Sequence, residues 1–387
     1  MKTVVIVGAG HAAPDVISTL RRSGWEDSIV LIGDEPHLPY QRPPLSKGYF
    51  SGEVTKEKLA IRNSAFYEKS NVELKLGQRV GSIDRTSSTV TLDNGDLLVF
   101  DKLILATGTR ARYLPVPGVD QVNPHYLRTL DDVGEIKSKV NAGTRLLIVG
   151  AGYIGLELAA AAVKKQADVT VLESMDRVLA RVTGPEVSHF YQSMHAQEGV
   201  DIRLNTSLKQ FEAVNDNYVA LMGDGEVVEF DVVVIGIGVV PNSEIAEQAG
   251  LECDNGIVVN EFAQTNDANI YAIGDVSSHP SFIYDKRIRL ESVPNAAGQA
   301  KVAASHICGK EISYNQLPWF WSDQYNVKLQ TAGLFQGYDE TQVMGDIEQR
   351  KFSVSYYKEG RLIAIDALNC PADFMKAKKK IIEDLSA

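Results

Sequence analysis

Two glycine runs carry the plainest chemistry in this 387-residue chain. Gly150-x-Gly152-x-x-Gly155 follows the apolar run Leu146–Val149 and precedes a segment of helical character. Glycine at the first position permits a tight turn. At the second it lets the backbone approach a pyrophosphate, and at the third it lets helix and strand pack closely. The free N–H groups and positive dipole end of the helix, opening at Tyr153 and Ile154, then suit phosphate. Glu173 ends the next apolar strand, 23 residues after Gly150. A carboxylate there suits two ribose hydroxyls and repels a 2′-phosphate, so NADH is expected rather than NADPH. The other run, Gly8-x-Gly10-x-x-Ala13, has alanine in third place, which the pattern tolerates. Pro14 follows it, where a first helical turn accepts proline. Asp34 and Glu35 are the candidate acids after its second strand. These residues predict a second dinucleotide site without naming the dinucleotide.

The elements that position these turns repeat along the chain. Val4–Gly10 reappears as Leu146–Gly152, and each copy reads strand, glycine turn, helix, then a second strand at Ser28–Ile32 or Asp168–Leu172. Two such units predict an α/β chain with two Rossmann-like, parallel-sheet domains. Further strands are predicted at Val72–Leu76, Ser88–Leu92, Lys102–Ala106, Val232–Ile237 and Asn269–Ile273. Leu114–Gly118, with two prolines, reads as a linker. From about Leu317 the aromatic and alternating segments Phe352–Tyr357 and Arg361–Ala367, then a helical Asp373–Leu385, predict a C-terminal α+β domain. The expected boundaries are 1–112 with 240–316, then 113–239, then 317–387.

Composition narrows the class. A net charge of -11 argues against nucleic acid and anionic membranes as general partners. The three cysteines, Cys253, Cys308 and Cys370, form no CxxC pair, and the seven histidines show no ligand spacing, so neither a disulfide framework nor a metal is expected. Gly8 and Gly10 break the first apolar run too early for a signal peptide, and no stretch has the length of a membrane span. The cytoplasm is the expected compartment.

The segment Pro39-Tyr40-Gln41-Arg42-Pro43-Pro44-Leu45-Ser46-Lys47 carries a family resemblance, as do Leu105–Gly108, Tyr126–Leu130 and Ile273–Asp275. Glu291–Asn295 and Pro318–Tyr325 extend it. Together they resemble the NADH-dependent ferredoxin reductases of bacterial oxygenase systems, which are glutathione-reductase-like in fold but lack the redox disulfide. The resemblance runs from Val4 to about Cys370. It implies FAD at the first glycine run. Ala12 and Asp34 would hold its pyrophosphate side and adenosine ribose, Val80 its adenine end, and Asp275 its ribityl or pyrophosphate region. Arg128 would contact FAD, Lys47 would sit at the flavin N5 edge, and Val293 would lie by the isoalloxazine. Gly8, Gly10, Glu35, Arg42, Ala106, Thr107, Gly108, Gly274, Trp321 and Gly238 complete the expected cofactor contacts. The Ala13-Pro14-Asp15 stretch departs from the family pattern and bears on how that helix packs.

Lys47 would ordinarily be a solvated lysine, and Glu157 a carboxylate complementing a helix N-terminus. The sharper expectation is an ion pair between them that orients nicotinamide and flavin. Trp319 and Trp321 are either core aromatics or a shield over the flavin. No cysteine lies between Tyr40 and Lys47, so electrons are expected to leave the flavin directly for an external acceptor. The implied acceptor is a [2Fe–2S] ferredoxin serving a cytochrome P450 or ring-hydroxylating oxygenase, since FAD converts a two-electron parcel into single electrons. An acidic partner needs a local basic patch, for which Arg62, Arg289, Lys301 and Lys328 are candidates, with Arg287 and the run Lys376, Lys378, Lys379 and Lys380 beside them. A monomer or weak dimer is expected. Two other readings use the same sites: an NADH oxidase or monodehydroascorbate-type reductase with a small acceptor, and an NADH-sensing signalling flavoprotein.

Overall fold

The structure is a computed structural model that describes residues 2–214 and 217–386. They fold as two units. One comprises Met1–Gln41, Leu59–Arg110 and Val240–Phe320, and the other Arg42–Lys58, Ala111–Val239 and Trp321–Ala387.

In the first unit, Val4–Val7 of the strand Thr3–Val7 is buried on both faces, which is why it reads as an unbroken apolar run. Val4 and Ile6 join a core with Ala13, Val16, Ile17 and Leu20 of the helix Ala12–Arg22. Val5 and Val7 join a second core with Val80, Val90 and Leu92. The sheet runs in the order Ile270–Ala272, Lys102–Leu105, Thr3–Val7, Ser28–Gly33, Val72–Leu76, and every pairing is parallel. Helix Ala12–Arg22 packs on helix Val293–Ile307 through the small side chains Ala300, Ala303 and Ala304. Ala13 and Pro14 are both buried at this helix start, so the departure from the glycine pattern is absorbed by packing.

The second unit repeats the plan, with parallel strands ordered Asp201–Arg203, Asp168–Leu172, Arg145–Val149, Val232–Ile235, His125–Tyr126. An antiparallel sheet of Leu208–Val214, Asn217–Met222 and Val227–Phe230 covers one face through Phe211, Ala220, Met222 and Phe230. Its C-terminal part is a five-stranded sheet in the order Trp319–Gln324, Val327–Gly333, Arg361–Leu368, Lys351–Lys358, Glu340–Asp346. Helix Pro371–Ser386 lies on it and buries Phe374, Ala377 and Ile381, spaced three and four residues apart.

Four expected strands are shorter than the sequence suggests: Lys102–Ala106 stops at Leu105, Asn269–Ile273 is Ile270–Ala272, and two more are cut by turns. Val232–Ile237 stops at Ile235, because the chain turns through Gly236 and Gly238, the latter at φ +110. Ser88 has φ +52 and belongs to the turn, so the strand begins at Thr89. Among the described residues no helix is long and apolar enough to cross a membrane, and no three His, Cys, Asp or Glu side chains are grouped to hold a metal ion.

Candidate functional site

In the second unit the turn Gly150–Gly155 joins strand Arg145–Val149 to helix Tyr153–Lys164. Gly150 has φ +107, and a Cβ on it would stand 2.5 Å from the Gly236 carbonyl oxygen. A Cβ on Gly155 would stand 2.2 Å from the Gly150 oxygen, so the helix approaches the strand as closely as backbone allows. Gly152 differs: a Cβ there meets nothing within 4 Å. It is the N-cap of the helix and supplies no side-chain cap, so the helix begins beside open space a phosphate can fill. Ile154 holds an exposed apolar side chain in that first turn, beside the half-buried Tyr153. Glu173 stands at the end of its strand. Its Oε2 accepts from the Ala151 N–H at 2.8 Å and its Oε1 from the Met175 N–H at 3.0 Å. The acid therefore braces the glycine turn while keeping acceptor capacity for a ribose. Gly238 sits with φ +110 near the Arg181 guanidinium.

The first unit offers a similar cradle. Gly8, at φ +114, would place a Cβ 2.1 Å from the Ala106 carbonyl oxygen, while a Cβ on Gly10 meets nothing within 4 Å. Ala12 is buried as the first residue of its helix. Asp34 is exposed at the strand end, and Glu35 accepts from the Tyr40 hydroxyl at 2.6 Å. Thr107 and Gly108 are latched by Asn242: the Thr107 hydroxyl donates to the Asn242 carbonyl at 2.8 Å, and the Asn242 amide donates to the Thr107 carbonyl at 2.9 Å. Gly274 donates its N–H to Gln299 Oε1 at 2.7 Å, and Asp275 accepts from the Thr109 hydroxyl at 3.4 Å. Gln299 is fully buried, yet its Nε2 finds no protein acceptor. Val293 opens helix Val293–Ile307, and Val80 is a core residue at the start of strand Val80–Asp84. Both glycine turns, with their open cradles, fit a dinucleotide. The unpartnered Gln299 Nε2, on the side chain that accepts from Gly274, adds a donor within the first unit.

Lys47 and Glu157 meet within the second unit. Lys47 Nζ donates to Glu157 Oε2 at 2.6 Å and to the Pro43 carbonyl at 3.0 Å. The Ser46 hydroxyl donates to the same Oε2 at 2.6 Å, and Ser322 donates to Oε1 at 2.6 Å. Lys47 sits at the kink between the turn Pro43–Ser46 and the short helix Gly48–Ser51, with φ -127 and ψ -114. Glu157 is 4% exposed and Lys47 18%. A carboxylate this buried needs its partners, and it has a cation and two hydroxyls. Arg42 donates to the Arg128 carbonyl at 2.8 Å, tying those two candidates together. Trp319 and Trp321 are half-buried on one strand.

Sequence reading missed Ser46, Ser322, Asn242 and Gln299. The two serines lie inside quoted motif segments, but partners 111 and 165 residues away in the chain leave no local trace. The basic candidates divide. Arg62, Arg287, Lys301, Lys328, Lys376, Lys379 and Lys380 are exposed, and Arg289 and Lys378 half-buried. Arg287 donates to the Val259 and Ser278 carbonyls, and Arg289 to the Asp275 carbonyl and Glu291. Lys379 and Lys380 pair with Glu383 and Asp384 one turn on, and Lys378 lies over Phe374. Burial pushes the Cys308 and Cys370 thiols up, and the Cys253 thiol up to about 11.

The profile of the pyridine nucleotide-disulphide oxidoreductase family matches residues 2–300, and that of a reductase C-terminal domain matches residues 319–386. Putidaredoxin reductase of Pseudomonas putida is 45% identical over 388 residues, covering 99% of this chain and 92% of that protein. Rhodocoxin reductase of Rhodococcus erythropolis is 42% identical, covering 99% and 90%. Among solved structures, the covalent putidaredoxin reductase–putidaredoxin complex matches with a TM-score of 0.95 and 44% identity, covering 99% of this chain and 93% of that one.

Proposed function

The chain belongs to the pyridine nucleotide-disulphide oxidoreductase family, and from that premise we propose that it is a cytoplasmic, FAD-containing ferredoxin–NAD(+) reductase. It draws electrons from NADH and delivers them to a [2Fe–2S] ferredoxin that feeds a cytochrome P450 or ring-hydroxylating oxygenase. The observation that carries this reading is the pair of open glycine cradles on two parallel sheets, in a chain without a cysteine between Tyr40 and Lys47.

Bound FAD supplies the exchange between the two-electron parcel of NADH and the one-electron capacity of an iron–sulfur centre. Gly8, Gly10, Ala12, Asp34, Thr107, Gly108, Gly274, Asp275 and Val293 are the residues we assign to holding it. Gly150, Gly152, Gly155 and Glu173 we assign to NADH. The helix N-terminus at Gly152 would hold the pyrophosphate, and Glu173 would take the adenosine ribose and repel a 2′-phosphate. The protein's part in the reaction is position, since donor and acceptor atoms react when held about 3–3.5 Å apart. We assign that task to Lys47 and Glu157, whose buried pairing fixes both side chains. For a chain of net charge -11, docking of an acidic ferredoxin falls to exposed cations such as Arg62, Lys301 and Lys328.

Stopped-flow mixing tests the reading. The yellow protein is mixed with NADH or NADPH, then with oxidised [2Fe–2S] ferredoxins. Fast bleaching by NADH alone, followed by prompt ferredoxin reduction, is the expected result. Bleaching by NADH with every ferredoxin left oxidised, while oxygen or a quinone turns over, assigns the chain to a small acceptor instead.

A further inference from the structure

Beyond Ser322, the hydrogen bonds on Glu157 continue as a single buried file. Gln324 Nε2 lies 3.2 Å from Ser322 Oγ, His195 Nε2 lies 2.8 Å from Gln324 Oε1, and Tyr325 OH lies 3.2 Å from His195 Nδ1. Ser322, Gln324 and His195 are all essentially without exposed surface. The polarity of this file follows from its end. Glu157, paired with Lys47, is an acceptor only, so Ser322 spends its one proton on it. Ser322 can then only accept from Gln324, which turns the amide nitrogen to the serine and the amide oxygen to His195. His195 must then carry its proton on Nε2, and Nδ1 accepts from Tyr325. Every donor points toward the carboxylate.

One observation agrees with that assignment, and another shows how Tyr325 is held. Burial holds His195 well below the usual imidazole range, to about 4, so it stays a neutral donor–acceptor. Tyr325 has φ +53 in the tight turn between strands Trp319–Gln324 and Val327–Gly333, a position where glycine or asparagine carries less strain. Its ring meets the His195 ring edge-on, with centroids 5.1 Å apart.

We infer that Ser322, Gln324 and His195 are positioning residues that fix the plane of the Glu157 carboxylate through a one-way chain of donors closed by Tyr325. The inference rests on the functional reading above, since the carboxylate it positions is the one assigned to the NADH reaction. Ser46 and Lys47 hold Oε2, and the file holds Oε1, so neither oxygen can rotate away.

The test has two independent readouts on the FAD-loaded protein. In the first, 15N-histidine labelling, with His195→Asn to identify the signal, reads the tautomer. A neutral ring protonated on Nε2 is expected, and an Nδ1–H tautomer or an imidazolium at neutral pH overturns the donor chain. The second is single-turnover bleaching by NADH, resolved into limiting rate and Kd. Ser322→Ala and Gln324→Met, the latter similar in length but without a donor, should each lower the limiting rate at least about tenfold. The Kd should stay within about twofold, as a lost positioning contact predicts. Ser322→Thr, which keeps the hydroxyl, should recover most of the rate. Wild-type rates in both crippled variants, or a threonine variant as slow as alanine, overturn the inference. If Ser322→Ala does not fold, Gln324→Met decides. If NADH fails to bleach the wild type, the functional reading falls and the positioning role with it, while the tautomer still judges the donor chain.

Discussion

Lys47 and Glu157 stand 110 residues apart in the chain and meet at 2.6 Å, with the carboxylate almost wholly withdrawn from water. Removing Lys47 leaves the Glu157 carboxylate buried without its cation, which typically costs about 3 kcal/mol. Lys47→Met and Glu157→Gln should therefore each lower thermal stability. Each should also slow bleaching by NADH by at least about tenfold while FAD content at purification is retained. A double-mutant cycle reads the coupling, and additive losses would show that the pair does not act as a unit.

The glycines of the second turn should separate folding from binding. Gly152→Ala projects a methyl into open space, so melting should hardly change while the Kd for NADH rises. Gly155→Ala would drive a methyl into the Gly150 carbonyl and should cost stability itself. Melting curves and NADH titrations of the two variants distinguish the cases, and equal losses of stability would contradict this geometry.

Glu173 braces the turn through the Ala151 N–H and is also the acid assigned to the ribose. Glu173→Ala should therefore weaken NADH use and relax its preference over NADPH together. The ratio of kcat/KM for the two nucleotides is the measure. A preference that survives the substitution would place specificity elsewhere.

Asp366 is buried where Tyr356 donates to it at 2.7 Å and Thr183 also hydrogen-bonds to it. Burial pushes its carboxyl up to about 6, against the lowering effect of those two donors. A carboxyl raised on folding contributes stability that is fully present below its unfolded value and lost as pH rises through the folded one. Melting temperature should therefore decline between about pH 4 and pH 6 by an amount that Asp366→Asn removes. Parallel slopes in the two proteins would remove Asp366 as the cause.

Electron delivery to ferredoxin should fall steeply with added salt, while reduction of an uncharged dye should not. Charge reversal at the exposed Arg62, Lys301 or Lys328 should weaken only the ferredoxin rate. A salt response shared by ferredoxin and dye would contradict docking through local positive charge.

The strands and turns nearest the glycines were legible because their patterns are local. Val4–Val7 is apolar at every residue because both of its faces are buried, and Gly8 and Gly150 are glycine because their φ values and neighbouring carbonyls exclude a side chain. Glu157 was legible only by its place near a helix start. Nothing local announces that Ser46 and Ser322 would converge on it, since a serine hydroxyl carries no periodicity and its partner is fixed by tertiary packing. Arg287 and Arg289 illustrate the reverse. They read as surface charge, and Arg287 is exposed, but both also spend donors on backbone carbonyls, a choice decided by where the turns around Asp275 and Ser278 lie.

The chain passes between its two units five times. Glu157 belongs to residues 111–239, but Ser46 and Lys47 come from Arg42–Lys58, and Ser322 comes from Trp321–Ala387. Neither unit is thus a continuous stretch of gene. A recombinant that grafts 111–239 from a relative would import a buried acid and leave its cation and both hydroxyls to a foreign ancestry. The repeated glycine turns look like interchangeable cassettes, but the threading between them obliges the whole reading frame to be inherited together.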